Sequence, residues 1–244
     1  MLARLGVDTT VADSNELALQ ALADDYGVAT VSAESAAQGN FDLVVTSPGW
    51  RPDSPLLVAF QDAGVEGIGD VELAYRLDRA GDFGAPRPWR VGAGSNGKTT
   101  TTGMLAQIML ADAARTGKRA LAVGNIGVSL FDALTATPRV DVLCAELSSF
   151  QLHWSSQLRP DVGVLLNLAE DHLDWHGSFD AYARAKAKVL SGEAAVVGKD
   201  DAAAVSYAAD TARVYGFTAA EPEQGEVGVS AGRLVSRLAT GRED

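Results

Sequence analysis

The sequence has little cysteine, no excess of basic residues and no long hydrophobic run. Its 244 residues contain 1 Cys, so no internal disulfide can form, which is typical of a reducing compartment. The 32 acidic and 20 basic residues give a net charge of -12, which excludes an overall electrostatic surface for nucleic acid or an anionic membrane. No apolar run reaches the ~18 residues of a membrane span, and residues 1–8 lack a signal-peptide core. We therefore expect a cytoplasmic protein without nucleic-acid or membrane partners.

The sequence does contain enough apolar residues for one large core or two smaller ones. Hydrophobic residues make up 47% of it, and domains average ~150 residues. Two glycines and two prolines crowd into residues 81–88, a stretch without a periodic apolar pattern. We therefore predict a first domain over residues 1–80, a linker over 81–88 and a second domain over 89–244.

Short apolar runs alternate with helix-like stretches on both sides of this linker. Before it, strand-like runs lie at 10–12 and 43–46, and helical patterns lie at 16–24, 55–63 and 71–77. After it, near-continuous Val/Leu runs lie at 120–123, 140–145, 162–166 and 194–197. Such runs are typical of parallel strands covered by helices on both faces. The pattern predicts an α/β protein, with a small parallel layer followed by a larger one.

Residues 92–99 read Gly-Ala-Gly-Ser-Asn-Gly-Lys-Thr and match the phosphate-loop pattern G-x-x-x-x-G-K-[ST]. A short strand precedes them, weakened by the charged Arg90, and a helix with an apolar stripe follows. The glycines allow backbone N–H groups to surround phosphate oxygens, Lys98 can reach the terminal phosphates, and the Thr99 hydroxyl can ligate Mg²⁺. The alternative is a glycine-rich turn followed by a chance Lys-Thr pair.

Polar side chains follow two of the predicted strands. Glu146 comes directly after the run 140–145, and the segment 167–174 follows the run 162–166. In an open parallel sheet, ligands bind beyond the carboxyl ends of the strands. Glu146 can therefore hold Mg²⁺, or else it is a solvated residue at a strand end. Within the second segment His172 is the residue best suited to bind a metal, whereas His153 and His176 are interpreted as bystanders.

Lys186 lies on the apolar face of a predicted helix over 179–190, which Ser178 caps. Arg184 and Lys188 are predicted to point away from this face. A lysine on a core face either extends to the protein edge or is held near a site with a lowered pKa. A neutral amine can react with CO₂, and the resulting carbamate would be a metal-binding anion.

Four sequence blocks, in this order, resemble the ATP-dependent Mur ligases of bacterial peptidoglycan synthesis. They are residues 94–100, 124–127, 146–152 and 167–174. Residues 46–49 and 69–72 extend the resemblance towards the N-terminus. The 146–152 block, Glu-Leu-Ser-Ser-Phe-Gln-Leu, resembles in particular the branch of the family that adds D-glutamate.

The resemblance implies a Rossmann-like first domain, a P-loop-type central domain and an ATP-dependent ligation. ATP would phosphorylate the carboxylate of UDP-N-acetylmuramoyl-L-alanine, and the amine of D-glutamate would attack the acyl phosphate to form an amide. Two Mg²⁺ ions are implied, one held by Thr99 and Glu146 and the other by His172 and carbamylated Lys186. Together, the two Mg²⁺ ions and Lys98 would offset the repulsion between the two reacting anions.

The resemblance also assigns roles to individual residues. The ATP-binding residues would be Gly94, Ser95, Asn96, Gly97, Lys98, Thr99 and Thr100. Lys98, Lys186 and His172 would act in catalysis. Asn125 and Ser148 would contact the muramoyl substrate, and Asp13 and Ser47 would lie near the uridine. Members of the family are expected to be monomers.

Two parts of the family pattern have no counterpart in this sequence. The chain starts at a segment that resembles the end of the helix after the first strand and glycine turn, and no counterpart of the third domain follows. We therefore expect either a D-glutamate-adding ligase sequence or an ATP- and Mg²⁺-binding fragment that does not ligate. Another Mur ligase, a folylpolyglutamate-type ligase or a simple ATPase is the third alternative.

Overall fold

The computed structural model describes residues 1–208, 211 and 213–238. The chain divides into two compact units, Met1–Ile68 and a larger unit that begins at Gly69. Residues 239–244, which were assigned to the second predicted domain, lie outside the described residues. The fold is mixed α/β with a mostly parallel main sheet, which confirms the predicted fold class.

The first unit contains two small sheets and three α-helices. Its elements are a 3₁₀ turn Leu2–Leu5, β1 Thr10–Asp13, α1 Glu16–Tyr26, β2 Ala29–Ser32, α2 Ala33–Ala36, β3 Leu43–Thr46, α3 Pro55–Asp62 and β4 Glu66–Gly69. β1 and β2 run parallel, and β3 pairs with β4. α1 starts where the Asn15 side chain accepts a hydrogen bond from the Ala18 N–H, and it ends at Gly27 in the left-handed region.

The larger unit alternates strands and helices. Its first elements are α4 Asp70–Ala80, β5 Trp89–Ala93, α5 Lys98–Ala111, α6 Ala113–Thr116, β6 Ala120–Gly124, α7 Leu130–Thr135, β7 Val142–Glu146 and α8 Ser149–His153. They are followed by β8 Val162–Leu165, α9 Leu173–His176, α10 Phe179–Ala187, a 3₁₀ turn Lys188–Ser191, β9 Ala194–Gly198, α11 Ala202–Ser206, β10 Val214–Phe217, β11 Glu226–Ser230 and β12 Arg233–Ser236.

The main sheet has the strand order β12-β11-β10-β9-β8-β5-β7-β6. The neighbouring strands from β6 to β11 pair in parallel, and β12 is antiparallel to β11. The carboxyl ends of β5, β7 and β8 therefore lie side by side at one edge. The segments that follow these three strands carry the predicted phosphate loop, Glu146 and His172.

β5 is a central strand of the sheet, although the charged Arg90 had suggested a weaker strand. It pairs with β7 on one side and β8 on the other. Trp89, Val91 and Ala93 are fully buried, while Arg90 and Gly92 alternate with them on the less buried face. Arg90 therefore does not interrupt the core, because the alternation of a strand keeps it off the buried side.

The division between the compact units differs from the predicted linker at 81–88. α4 lies before that stretch in the chain, yet its residues Val71, Ala74 and Tyr75 pack into the core of the larger unit with Trp89. The ring centroids of Tyr75 and Trp89 are 5.4 Å apart, in an edge-to-face arrangement. The glycines and prolines after α4 form a turn within one packed unit, so the division falls at Ile68.

Candidate functional site

The predicted phosphate loop connects central strand β5 to helix α5. Gly97, the residue before the helix, has φ +79°, a left-handed conformation that glycine adopts without steric cost. Lys98 begins the helix, and its Nζ donates a hydrogen bond to the Ser95 carbonyl at 2.9 Å. Thr99 and Thr100 are exposed in the first turn of α5. The N-terminus of a 14-residue helix therefore opens next to the loop, which is the arrangement that binds phosphate in P-loop proteins.

The loop is tied to the segment that follows β8. The Ser95 N–H donates to the Asn167 carbonyl at 3.0 Å, and the Ala169 N–H donates to Ser95 Oγ at 2.8 Å. Ser95 Oγ also lies 2.7 Å from the Tyr182 hydroxyl of α10. The Asn167 side chain makes two further bonds to the Asn96 backbone. Asn167 belongs to the predicted polar segment 167–174. Its contact with the loop and that of Tyr182 were not predicted, because their partners lie 71 or more positions away in the chain.

Glu146 ends strand β7 beside the phosphate loop. It is 1% exposed, and its register partner in β5 is Gly92. Its Oε1 accepts a hydrogen bond from Asn125 Nδ2 at 3.0 Å, while its Oε2 is buried and has no hydrogen-bond partner among the described residues. Gly124 precedes Asn125 with φ +90°, and a Cβ there would lie 2.5 Å from the Glu146 carbonyl oxygen. The close approach of the two strand ends brings Asn125 to the carboxylate.

Lys186 lies inside the protein, 2% exposed, on helix α10. Its Nζ donates to the Gly94 carbonyl of the loop at 2.8 Å and lies 4.9 Å from the centre of the Tyr182 ring. Burial lowers the pKa of Lys186 to about 8, and the positive charge of Lys98 adds to this effect, whereas Asp171 and Glu146 oppose it. The predicted buried face of the helix is confirmed for this residue.

The other two cations of this segment differ from each other. Arg184 is exposed, as predicted. Lys188 does not point into solvent: its Nζ donates to the carbonyls of His153 and Ser155 at 2.7 and 2.8 Å. Lys188 lies in the 3₁₀ turn after α10, where its long side chain reaches the end of α8. Lys188 is therefore a structural contact and not a free surface lysine.

His172 lies at the edge of an aromatic cluster. It is half-exposed, has φ +50°, and its Nε2 lies 3.4 Å from a carboxylate oxygen of Asp171. Its ring centroid is 4.7 Å from that of Phe150. His176, interpreted from the sequence as a bystander, stacks on the same Phe150 ring at 5.7 Å, and His153 lies 6.1 Å from His176. The three histidines thus share one cluster.

Burial and, to a lesser extent, the nearby His153 lower the pKa of His176 to about 4. The neutral imidazole is therefore the form present at pH 7. Within the described ranges, no group of three or more His, Cys, Asp or Glu side chains is arranged to hold a metal ion. A metal at the strand ends would need other oxygen ligands besides Glu146.

The remaining predicted site residues lie at strand or helix ends. Ser148 caps α8 in a reciprocal capping box with Gln151, so its hydroxyl is already engaged by the Gln151 N–H. Asp13 and Ser47 belong to the first unit. Asp13 ends β1, where its carboxylate accepts a hydrogen bond from the Asn15 N–H, and Ser47 directly follows β3.

A glycine loop connects a central parallel strand to a helix, and a buried carboxylate lies at the end of the neighbouring strand. This arrangement defines a P-loop-type α/β protein. The sequence model of the Mur ligase middle domain matches residues 93–232. The chain belongs to the Mur ligase family. Members of this family are ATP-dependent ligases that generally use Mg²⁺.

Several similar proteins share one name. The UDP-N-acetylmuramoylalanine--D-glutamate ligase of Corynebacterium diphtheriae is 56% identical over an alignment of 244 positions, which covers 96% of this chain and 50% of that protein. The ligase of the same name from Mycobacterium leprae is 52% identical, over 97% of this chain and 49% of that protein. The chain therefore spans about half the length of the curated relatives it matches.

A solved structure supports the fold. It is that of a UDP-N-acetylmuramoyl-L-alanyl-D-glutamate--2,6-diaminopimelate ligase, with a TM-score of 0.51 and 19% identity over 79% of this chain and 49% of that one. Among the described residues, no helix is long and apolar enough to cross a membrane.

Proposed function

We propose that this chain provides the ATP- and Mg²⁺-binding part of a ligase that joins D-glutamate to UDP-N-acetylmuramoyl-L-alanine through an acyl phosphate. The observation that carries the proposal is the phosphate loop at the end of β5, with the buried Glu146 carboxylate beside it. The names of the curated relatives support the choice of substrates. We propose a cytoplasmic monomer, with these two substrates and ATP as its partners.

In this proposal, the loop residues 94–100 bind the ATP phosphates. Gly97 N–H and the first amides of α5 supply the anion-binding groups, and Lys98 exchanges its bond to the Ser95 carbonyl for a phosphate oxygen. Asn125 and Ser148 would contact the muramoyl substrate, and Asp13 and Ser47 the uridine. The Ser148 hydroxyl can still donate while it caps α8, because a hydroxyl offers one donor and two acceptor sites.

The residues at the strand ends fit a Mg²⁺ ion. Glu146 Oε2 is a buried carboxylate oxygen without a partner among the described residues, and such an oxygen is costly unless a donor or cation meets it. Glu146 and the exposed Thr99 hydroxyl would hold one ion, and the remaining ligands would be water and phosphate oxygens. A bound Mg²⁺ would supply charge neutralisation during phosphoryl transfer.

For a second ion, we propose His172 and a carbamate of Lys186. A lysine with its pKa lowered to about 8 is partly neutral at physiological pH. The neutral amine adds CO₂ and releases one proton, which leaves an anionic carbamate that still has one N–H. That N–H can keep the hydrogen bond to the Gly94 carbonyl. Lys98, Lys186 and His172 would therefore act on the same phosphates.

A second candidate is an ATP- and Mg²⁺-binding unit that does not ligate by itself. The geometry described at the ends of β5 and β7 accounts for phosphate and Mg²⁺ binding, and such binding does not require ligation. Nucleotide binding is common to both candidates, and ligation distinguishes them.

The test has two stages on the purified 244-residue chain. The first measures MgATP binding by calorimetry, with Lys98→Ala as the disabled variant and the exposed Lys118→Ala as the matched control. We expect binding by the unsubstituted chain and by Lys118→Ala only. The second stage measures phosphate release with MgATP, UDP-N-acetylmuramoyl-L-alanine and D-glutamate. Release that needs both substrates supports the ligase, release without them supports a simple ATPase, and binding without release supports the second candidate.

A further inference from the structure

We propose that Asn167 is a positioning residue that holds the phosphate loop in its nucleotide-binding conformation. The inference rests on the proposed function, since it concerns how the same loop meets phosphate. Asn167 lies two residues after the end of β8 and 71 positions from its partner Asn96 in the loop. Its side-chain hydrogen bonds go to the backbone of the loop.

The pairing of β5 with β8 continues beyond both strands. The Leu166 N–H donates to the Ala93 carbonyl at 3.0 Å, and the Ser95 N–H donates to the Asn167 carbonyl at 3.0 Å. At the next loop residue, Asn96, the hydrogen bonds come from the Asn167 side chain instead of from backbone groups. Its Oδ1 accepts from the Asn96 N–H at 2.8 Å, and its Nδ2 donates to the Asn96 carbonyl at 3.1 Å. A single amide therefore engages both backbone groups of Asn96.

These two bonds determine which loop amides face a ligand. In a trans peptide, the carbonyl of one residue and the N–H of the next point in opposite directions. Because the Asn96 carbonyl is held on Asn167, the Gly97 N–H points to the side away from Asn167. The Asn96 N–H is occupied and is removed from the set of anion donors. Asn167 thus orients Gly97 N–H for phosphate without touching phosphate itself.

The backbone next to Asn167 is also held by the segment that follows β9. The Leu168 N–H donates to Asp201 Oδ2 at 2.8 Å, and the same carboxylate caps α11 by accepting from the Ala204 N–H at 2.9 Å. Asp201 follows β9, the neighbour of β8 in the sheet. Asn167 therefore projects from a backbone held by two strands, and its amide is restricted before any ligand arrives.

The type of side chain matters because an amide carries both a donor and an acceptor. Asn167→Leu removes both hydrogen bonds while the side chain keeps a similar size. Asn167→Asp keeps an acceptor for the Asn96 N–H but loses the donor to the Asn96 carbonyl and adds a negative charge near the phosphate site. Asn40→Leu makes the same chemical change at an exposed position of the first unit and is the matched control.

The experiment combines hydrogen exchange at the Asn96 amide with MgATP titration by calorimetry, both well below the unfolding temperature. We expect Asn167→Leu to speed Asn96 exchange and to weaken MgATP binding about tenfold, the effect of one to two lost neutral hydrogen bonds. We expect Asn167→Asp to keep the Asn96 amide protected and yet to weaken MgATP binding at least as much. Asn40→Leu should leave both unchanged.

The outcomes separate the inference from the proposed function. If the unsubstituted chain binds no MgATP, the proposed function fails. If it binds MgATP and Asn167→Leu binds equally well, only the inference is overturned. A purely structural role is also distinguished, because it would lower the unfolding temperature of Asn167→Leu while the MgATP dissociation constant stayed unchanged. That result, too, would overturn the inference.

Discussion

Lys186 is a buried cation whose surroundings oppose its charge. Burial and the neighbouring Lys98 both favour the neutral amine and bring the pKa to about 8. Unfolding returns the lysine to its ordinary pKa of 10.5. The unfolded chain therefore binds more protons between about pH 8 and 10.5, so this residue makes the fold more stable as pH rises through that window. The same neutral amine is the species that can bind CO₂.

We predict that Lys186 forms a carbamate whose occupancy rises with pH. With ¹³C-labelled bicarbonate, a carbamate carbon resonance should appear as pH increases through about 8, because only the neutral amine adds CO₂. The resonance should be absent in Lys186→Met and retained in Lys118→Met, a change of an exposed lysine. The measurement needs no catalytic activity. A signal that persists in Lys186→Met would assign the carbamate elsewhere, and no signal at any pH would contradict the proposal.

We predict that His176 makes the fold sensitive to acid. The pKa of His176 is about 4 in the folded protein, whereas its ordinary value, which applies to the unfolded chain, is 6.5. Between pH 4 and 6.5 the unfolded chain therefore binds a proton that the folded protein does not. Stability should therefore fall as pH decreases from about 6.5 to 4. His176→Phe keeps an aromatic ring against Phe150 and removes the titration. Thermal unfolding from pH 7 to 4.5 should show a smaller decrease for this variant. An equal decrease in both proteins would exclude His176 as a cause.

At the scale of elements, two glycines of the larger unit differ in whether the packing leaves room for a side chain. A Cβ at Gly163 in β8 would lie 1.7 Å from the Val189 carbonyl oxygen, a backbone atom of the 3₁₀ turn after α10. A Cβ at Gly103 in α5 meets no atom within 4 Å. The absence of a side chain is thus a packing requirement at Gly163 and only a loss of helix propensity at Gly103.

We predict that Gly163→Ala destabilises the larger unit by about 3 kcal/mol or more, because the turn backbone must move away from the strand. The same substitution in the helix, Gly103→Ala, should stabilise by up to ~1 kcal/mol through higher helix propensity. Urea unfolding of the two variants, monitored by circular dichroism, measures both effects. A mild effect of Gly163→Ala would mean that the 3₁₀ turn does not press on β8.

Elements with a strong local signal could be predicted from the sequence. The phosphate loop, the Val/Leu strands and the buried position of Lys186 all follow from patterns within about 15 residues. Five strands were missed, namely β2, β4, β10, β11 and β12. β2 has only four residues, two of which carry hydroxyl groups, and β4 contains two glycines. The contacts of Lys186 with Gly94 and of Asn167 with Asn96 join residues 92 and 71 positions apart. Such contacts depend on strand order, which no local pattern encodes.

At the scale of the whole molecule, the division at Ile68 depends on a buried polar network in the larger unit. Asp78 of α4 and Arg87 form an ion pair with side chains 0% and 1% exposed. The Asp78 carboxylate also accepts from the Arg87 N–H and from Trp89 Nε1, each at 3.0 Å. The Arg87 guanidinium donates further to the carbonyls of Val140 and Leu134. The network joins α4 to β5 across the stretch that the sequence predicted to be a linker.

We predict that Asp78→Ala destabilises the larger unit by roughly 3–5 kcal/mol, because it leaves a buried guanidinium and the Trp89 N–H without their partner. The control is Asp112→Ala, which removes an exposed pair with Arg115 in the same unit and should have little effect. The double change Asp78→Leu with Arg87→Met should recover part of the loss, since it removes the stranded charge together with its partner. Urea unfolding monitored by tryptophan fluorescence measures these changes, and Trp89 in the network is one of the 4 Trp residues that contribute. If residues 81–88 acted as a free linker, Asp78→Ala would behave like Asp112→Ala, and α4 would have to be assigned to the first unit.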